Sequence, residues 1–60
     1  MHKIKFKWRG IDREIELKAN DAYIAIKVLE NVGYRVVETR EKLYGRFERV
    51  YILEEINNGK

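Results

Sequence analysis

Residues 20–34, NDAYIAIKVLENVGY, decide the fold. They predict the single helix of the chain, with a stop signal at each end. Asn20 is expected as the N-cap, its side-chain oxygen accepting from an orphan N–H of the first turn, with Asp21 next at the positive end of the helix dipole. Tyr23 stands three after Asn20, where a capping box needs Glu or Gln, so no box forms. Gly33 is placed to take the left-handed conformation that closes a helix, with Tyr34 folding back on Leu29. At about 100° per residue, Ala22, Ile24, Ala25, Ile26, Val28, Leu29 and Val32 share one broad arc, and Tyr23, Lys27, Glu30 and Asn31 occupy the rest. An apolar arc that wide calls for a sheet beneath it.

Upstream, Ile4, Phe6 and Trp8 alternate with Lys3, Lys5, Lys7 and Arg9. Ile15 and Leu17 alternate with Glu14, Glu16 and Lys18. Both segments read as half-buried strands of period two. Gly10-Ile11 between them predicts a two-residue type II′ turn with glycine at its first central position. That turn sets Arg9 opposite Asp12, Trp8 opposite Arg13, Lys7 opposite Glu14, Phe6 opposite Ile15, Lys5 opposite Glu16, Ile4 opposite Leu17 and Lys3 opposite Lys18. Every apolar pair then lands on one face and three opposite-charge pairs on the other.

Downstream, residues 34–40 (YRVVETR) read as a third strand, 41–45 as a loop, and 46–55 (RFERVYILEE) as a fourth strand, central and covered at least in part on both faces. Residues 56–60 read as a frayed tail. The order is ββαββ. A right-handed helical crossover brings strand 3 parallel to strand 2, and strand 4 then lies beside strand 1, giving a four-stranded mixed sheet of order 2-1-4-3 with one helix on one face. The expected class is α+β, a single small domain over 1–60. This layout resembles a minimal β-grasp, the ubiquitin-like arrangement, in topology alone. The helix followed by Gly33-Tyr34 and two strands is also similar to the small HicA-type toxins. Those carry a histidine in the hairpin after the helix, and residues 35–53 contain none, so that activity is not carried over.

Sixty residues bury only about 60% of the surface of the unfolded chain, so the stability margin is thin. The absence of Cys, with one His, excludes a disulfide framework and a Cys/His zinc site, and it fits a reducing, cytoplasmic compartment. No apolar run is long enough for a membrane span, and no secretory leader is expected. Charged residues make up 38%. Lys, Arg, Glu, Ile and Tyr are prominent and Ser, Gln and Pro absent, a usage that leans toward a thermophile protein, with an idealised design as the competing origin.

Catalysis finds no support in the residues, so no enzyme, cofactor or metal is expected. There is no Ser or Cys nucleophile, no glycine-rich phosphate loop and no metal-ligand spacing. His2 reads as a solvated terminal residue.

The formal charge is +3. Residues 1–18 hold six basic and three acidic groups, whereas residues 19–60 hold seven of each. Lys3, Lys5, Lys7 and Arg9 project from one strand face, either as a row that tracks phosphates or as a solvated face salt-bridged to the facing acids. Arg46, Phe47, Arg49 and Tyr51 interleave cations with aromatics that can stack on bases or pack in the core. One helix leaves the opposite sheet face open, with apolar side chains on it whichever parity of strand 4 faces the helix, and such a patch marks an interaction surface.

The first functional expectation is a small basic module that binds DNA or RNA through the open face, using Lys3, Lys5, Lys7, Lys18, Arg35 and Arg49, with Tyr51 or Phe47 stacking. The alternative is a protein-interaction module, a homodimer or an inhibitor of a partner protein, using Val37, Phe47, Tyr51 and Leu53. A third is a designed scaffold without activity.

Overall fold

A computed structural model describes residues 1–56 of the chain. Strands β1 (His2–Trp8) and β2 (Ile11–Leu17), helix α1 (Ala19–Val32), and strands β3 (Tyr34–Lys42) and β4 (Glu48–Glu55) follow in order. They form one four-stranded sheet of order β2-β1-β4-β3, open at both edges, with the helix on one face. β1 pairs antiparallel with β2 and parallel with β4, and β3 pairs antiparallel with β4. The α+β class and the strand order are those expected.

The first hairpin departs from its expected register by two residues. The turn is Arg9-Gly10, with φ of +54° and +76°, closed by Trp8 opposite Ile11. Positive φ at both central residues is the type I′ geometry, whose twist matches the flanking strands, and it places glycine second instead of first. Lys7 therefore faces Asp12, Lys5 faces Glu14 and Lys3 faces Glu16, while Arg9 moves into the turn. A shift of two conserves parity, so the division into an apolar and a charged face survives.

The N-cap lies two residues before the expected one. Lys18, extended at φ −72° and ψ 162°, occupies the N-cap position and makes no side-chain cap hydrogen bond. The Ala22 N–H donates to the Lys18 carbonyl at 2.8 Å. β2 ends at Leu17, half-buried opposite His2, so the chain turns there and Asn20 falls inside the first turn. Gly33 ends the helix as expected. Its φ is +122°, and its N–H reaches the carbonyls of Leu29 and Glu30, both at 3.1 Å.

Ile4, Ala22, Tyr34 and Leu53 are buried, with Phe6, Leu17, Ala25, Ile26, Leu29, Val36 and Tyr51 packed against them. Only part of the expected helical arc is covered. Ile24 (59% exposed), Val28 (54%) and Val32 (57%) lie on one flank of the helix, in solvent.

Tyr34 reaches beyond the expected fold-back on Leu29. Its ring meets Phe6 edge-on at 5.6 Å, and its hydroxyl donates to the Lys7 carbonyl at 2.5 Å. The β1–β4 ladder runs only from His2–Arg49 to Lys5–Ile52. Beyond it the two central strands diverge around a half-open cleft of about 660 Å³ whose lining includes Phe6, Trp8, Tyr34 and Leu53. The Tyr34 hydroxyl thus supplies the partner that β4 no longer offers to Lys7.

β3 is longer than expected and carries a bulge between Val36 and Glu38. The β3–β4 loop is accordingly 43–47, and β4 starts at Glu48. Ile56 is held, its N–H donating to the Gly33 carbonyl at 2.6 Å. The rest of the expected tail, 57–60, lies outside the described residues.

Candidate functional site

Burial of Ile4 and Leu53 fixes which parity of each strand faces the helix. On the open face the expected phosphate-binding residues Lys3, Lys5, Lys7 and Arg35 do come together. They share that face with an equal number of acids. Lys3, Lys5, Lys7, Arg35, Arg40 and Lys42 alternate with Asp12, Glu14, Glu16, Glu38, Glu48 and Glu54, six against six. Lys3 Nζ lies 3.1 Å from Glu48 and 3.5 Å from Glu14. The hydrogen bond to Glu48 comes first in holding the Lys3 ammonium above its ordinary pKa, and the same bond holds the Glu48 carboxyl below its own. Arg40 Nε, 2.6 Å from Glu38, depresses that carboxyl in the same way. Half-buried Val50 and Ile52 occupy the middle of this face, with exposed Val37 at the bulge.

The other expected residues sit elsewhere. Lys18 is at the helix N-cap, and Arg49 and Tyr51 are on the helix side of the sheet. Leu53, expected in a protein interface, is 3% exposed and belongs to the core, because odd-numbered β4 residues face Ile4 and the helix. Val37, Phe47, Tyr51 and Leu53 therefore do not form one surface.

A second group assembles on the helix side, at the end of the sheet where β4 begins. His2 stacks on Tyr51, with centroids 6.0 Å apart and planes 19° from parallel, and meets Phe47 edge-on, also at 6.0 Å. The Arg49 guanidinium lies 5.6 Å over the Phe47 ring and pairs with Glu41 at 2.5 Å. The Tyr51 hydroxyl, then Glu41, hold Arg49 above its ordinary pKa. The N-terminal amine donates to the Phe47 carbonyl at 3.2 Å. His2 Nδ1 and Arg49 Nε are buried without a hydrogen-bond partner among the described residues. Arg46 and Phe47 line a cavity of about 260 Å³ with Met1 and with Lys42, Glu16 and Glu48 of the open face, and Lys18 follows Leu17, the cross-strand neighbour of His2.

His2 and Glu41 were not expected beside the group of Arg46, Phe47, Arg49 and Tyr51. The alternation His2-Ile4-Phe6 puts His2 on the helix face, which is the signal that its closeness to the terminus obscures. Arg46 belongs to a loop, and Glu41 arrives only because the bulge resets the parity of β3.

Among the described residues no group of three or more His, Asp or Glu is placed to hold a metal ion. No helix among them is long and apolar enough to cross a membrane. No family model, no curated protein and no solved structure matches the chain.

Proposed function

We propose that the chain is a small nucleic-acid-binding module that works through the helix-side end of its sheet. One observation carries the reading: Arg49 lies over Phe47 beside the stacked His2 and Tyr51, with Arg46 next to Phe47 in the β3–β4 loop and Lys18 next to Leu17, the cross-strand neighbour of His2. The excess charge agrees. The open face balances six bases with six acids, whereas the remaining described surface holds Arg9, Arg13, Lys18, Lys27, Arg46 and Arg49 against Asp21, Glu30, Glu41 and Glu55, six against four. Cations there neutralise phosphates, and an aromatic edge beside them offers a stacking surface that any base can use.

The test is fluorescence anisotropy with a labelled mixed-sequence oligonucleotide, titrated in low salt. If Lys18, Arg46 and Arg49 each meet a phosphate, log affinity falls against log salt with a slope of about −2.7 on duplex and about −2.1 on a single strand. Lys18→Glu with Arg46→Glu removes binding, and Lys5→Glu with Lys7→Glu on the balanced face weakens it far less. No binding in low salt, or binding that ignores salt, refutes the proposal.

A further inference from the structure

The flank of α1 that the sheet leaves bare belongs to neither of the surfaces described so far. Ile24, Val28 and Val32 recur every four residues, which makes a straight ridge along the helix. All three are more than half exposed. Ile11 and Ile15 are exposed on the helix side of β2, the edge strand beside β1. A crossover from β2 to the parallel β3 turns right-handed, and a helix running back over the sheet in that sense turns its 24/28/32 flank toward β2. The ridge and the two β2 isoleucines then form one apolar surface.

We infer that this surface is an interface with a second copy of the same chain, two α1 helices packing antiparallel about a twofold axis near Val28. Area supports that occupant. The five side chains expose roughly 450 Å². A stable interface of about 800 Å² per partner, a little under 60% apolar, asks for about the same apolar area. The symmetry suits the ridge. With the axis at Val28, Ile24 of each copy meets Val32 of the other, and ridges of period four interlock in the commonest class of helix packing.

Charge is self-complementary as well. Asp21 lies on the same flank, one turn before Ile24. The helix ends at the same end of the sheet as the β1–β2 turn, the end where the Tyr34 hydroxyl reaches the Lys7 carbonyl. An antiparallel pair brings Asp21 of one copy to the Arg9 turn of the other. Neither Asp21 nor Arg9 joins an ion pair among the described residues. Edge-to-edge pairing of β2 is the less favourable way to join two copies. It sets Asp12, Glu14 and Glu16 against their own images, and like charges directly opposite destabilise a sheet.

Sedimentation equilibrium on the sixty-residue chain, from low to high micromolar, tests the inference. The expected mass rises from 7.3 kDa toward twice that value. Val28→Glu and Val28→Lys each stay at the monomer mass, because the symmetry sets each new charge against its copy. An equimolar mixture of the two variants recovers the dimer, which a folding defect in either variant would not allow. A wild-type mass that stays at 7.3 kDa to high micromolar overturns the inference and leaves the surface to a different protein. A dimer that persists undiminished in both variants places the interface elsewhere and overturns it equally.

Discussion

Replacing Tyr34 by Phe isolates the bond that closes the gap between the central strands. Tyr34 is 2% exposed, and its ring lies edge-on to Phe6. The substitution keeps the ring and the core volume and deletes one hydroxyl. What is lost is the donor to the Lys7 carbonyl, at a position beyond the last β1–β4 ladder pair. A carbonyl left without its partner costs about 1–3 kcal/mol when buried. Lys7 is an exposed residue and the bond only part-buried, so water replaces some of the loss and about 1 kcal/mol is expected. In so small a domain that lowers the melting temperature by roughly 4–8 °C. The whole margin is only about 3–9 kcal/mol at the usual stability per residue, so the effect is a sizeable fraction of it. Thermal unfolding followed by circular dichroism measures the shift. Tyr23→Phe is the control, since Tyr23 is 63% exposed and its change should stay within about 0.5 kcal/mol. If the two variants melt together, the Tyr34 hydroxyl does not hold β1, and the account of how the sheet is closed at that end is wrong.

Two further outcomes follow from the turn and from the ion pairs. Arg9→Asn should raise stability by about 0.5–1 kcal/mol, because Arg9 holds φ +54° in a type I′ turn and asparagine takes that conformation more readily; a lower urea midpoint would contradict the turn type. The Glu38 and Glu48 carboxyls are held below the ordinary value of 4.5 by their bonds to Arg40 and Lys3. A folded pKa below the unfolded one means that this stabilisation is complete above the unfolded value and is lost as pH falls through the folded one. Melting temperature should therefore hold steady above about pH 5 and drop below it, and Glu48→Gln should flatten that drop; an unchanged pH profile in Glu48→Gln would refute the link to Glu48.

The strand order was legible because alternation in 3–9 and 12–18 and the helix ends leave few ways to close ββαββ. Register was less so. Arg9-Gly10-Ile11 accommodates glycine at either central position of a two-residue turn, and only the positive φ of Arg9 decides between them. Because the two choices differ by two residues, the faces were read correctly even though the pairs were not. The helix arc failed for a different reason. Periodicity marks Ile24, Val28 and Val32 as apolar, but it does not say how much of an arc one four-stranded sheet covers. In the candidate site, Arg49 and Tyr51 were assigned to the wrong face, since alternation gives two parities and only packing against Ile4 chooses between them.

The central pair of the sheet joins the first strand of the chain to the last. Ile4 and Leu53, both buried, come from opposite ends of the sequence and meet in one core. During synthesis β1 emerges first, yet its inner edge stays without a strand partner until β4 is complete. The β1–β2 hairpin and the helix can fluctuate into shape before then, but no intermediate length of chain contains the middle of the sheet. Closing that pair requires the longest loop the domain has to close, so folding should be slow for its size. A nascent or truncated chain that stops short of Arg49 is then not a smaller version of this domain, only the β1–β2 hairpin, a loose amphipathic helix and a β3 with no strand beside it.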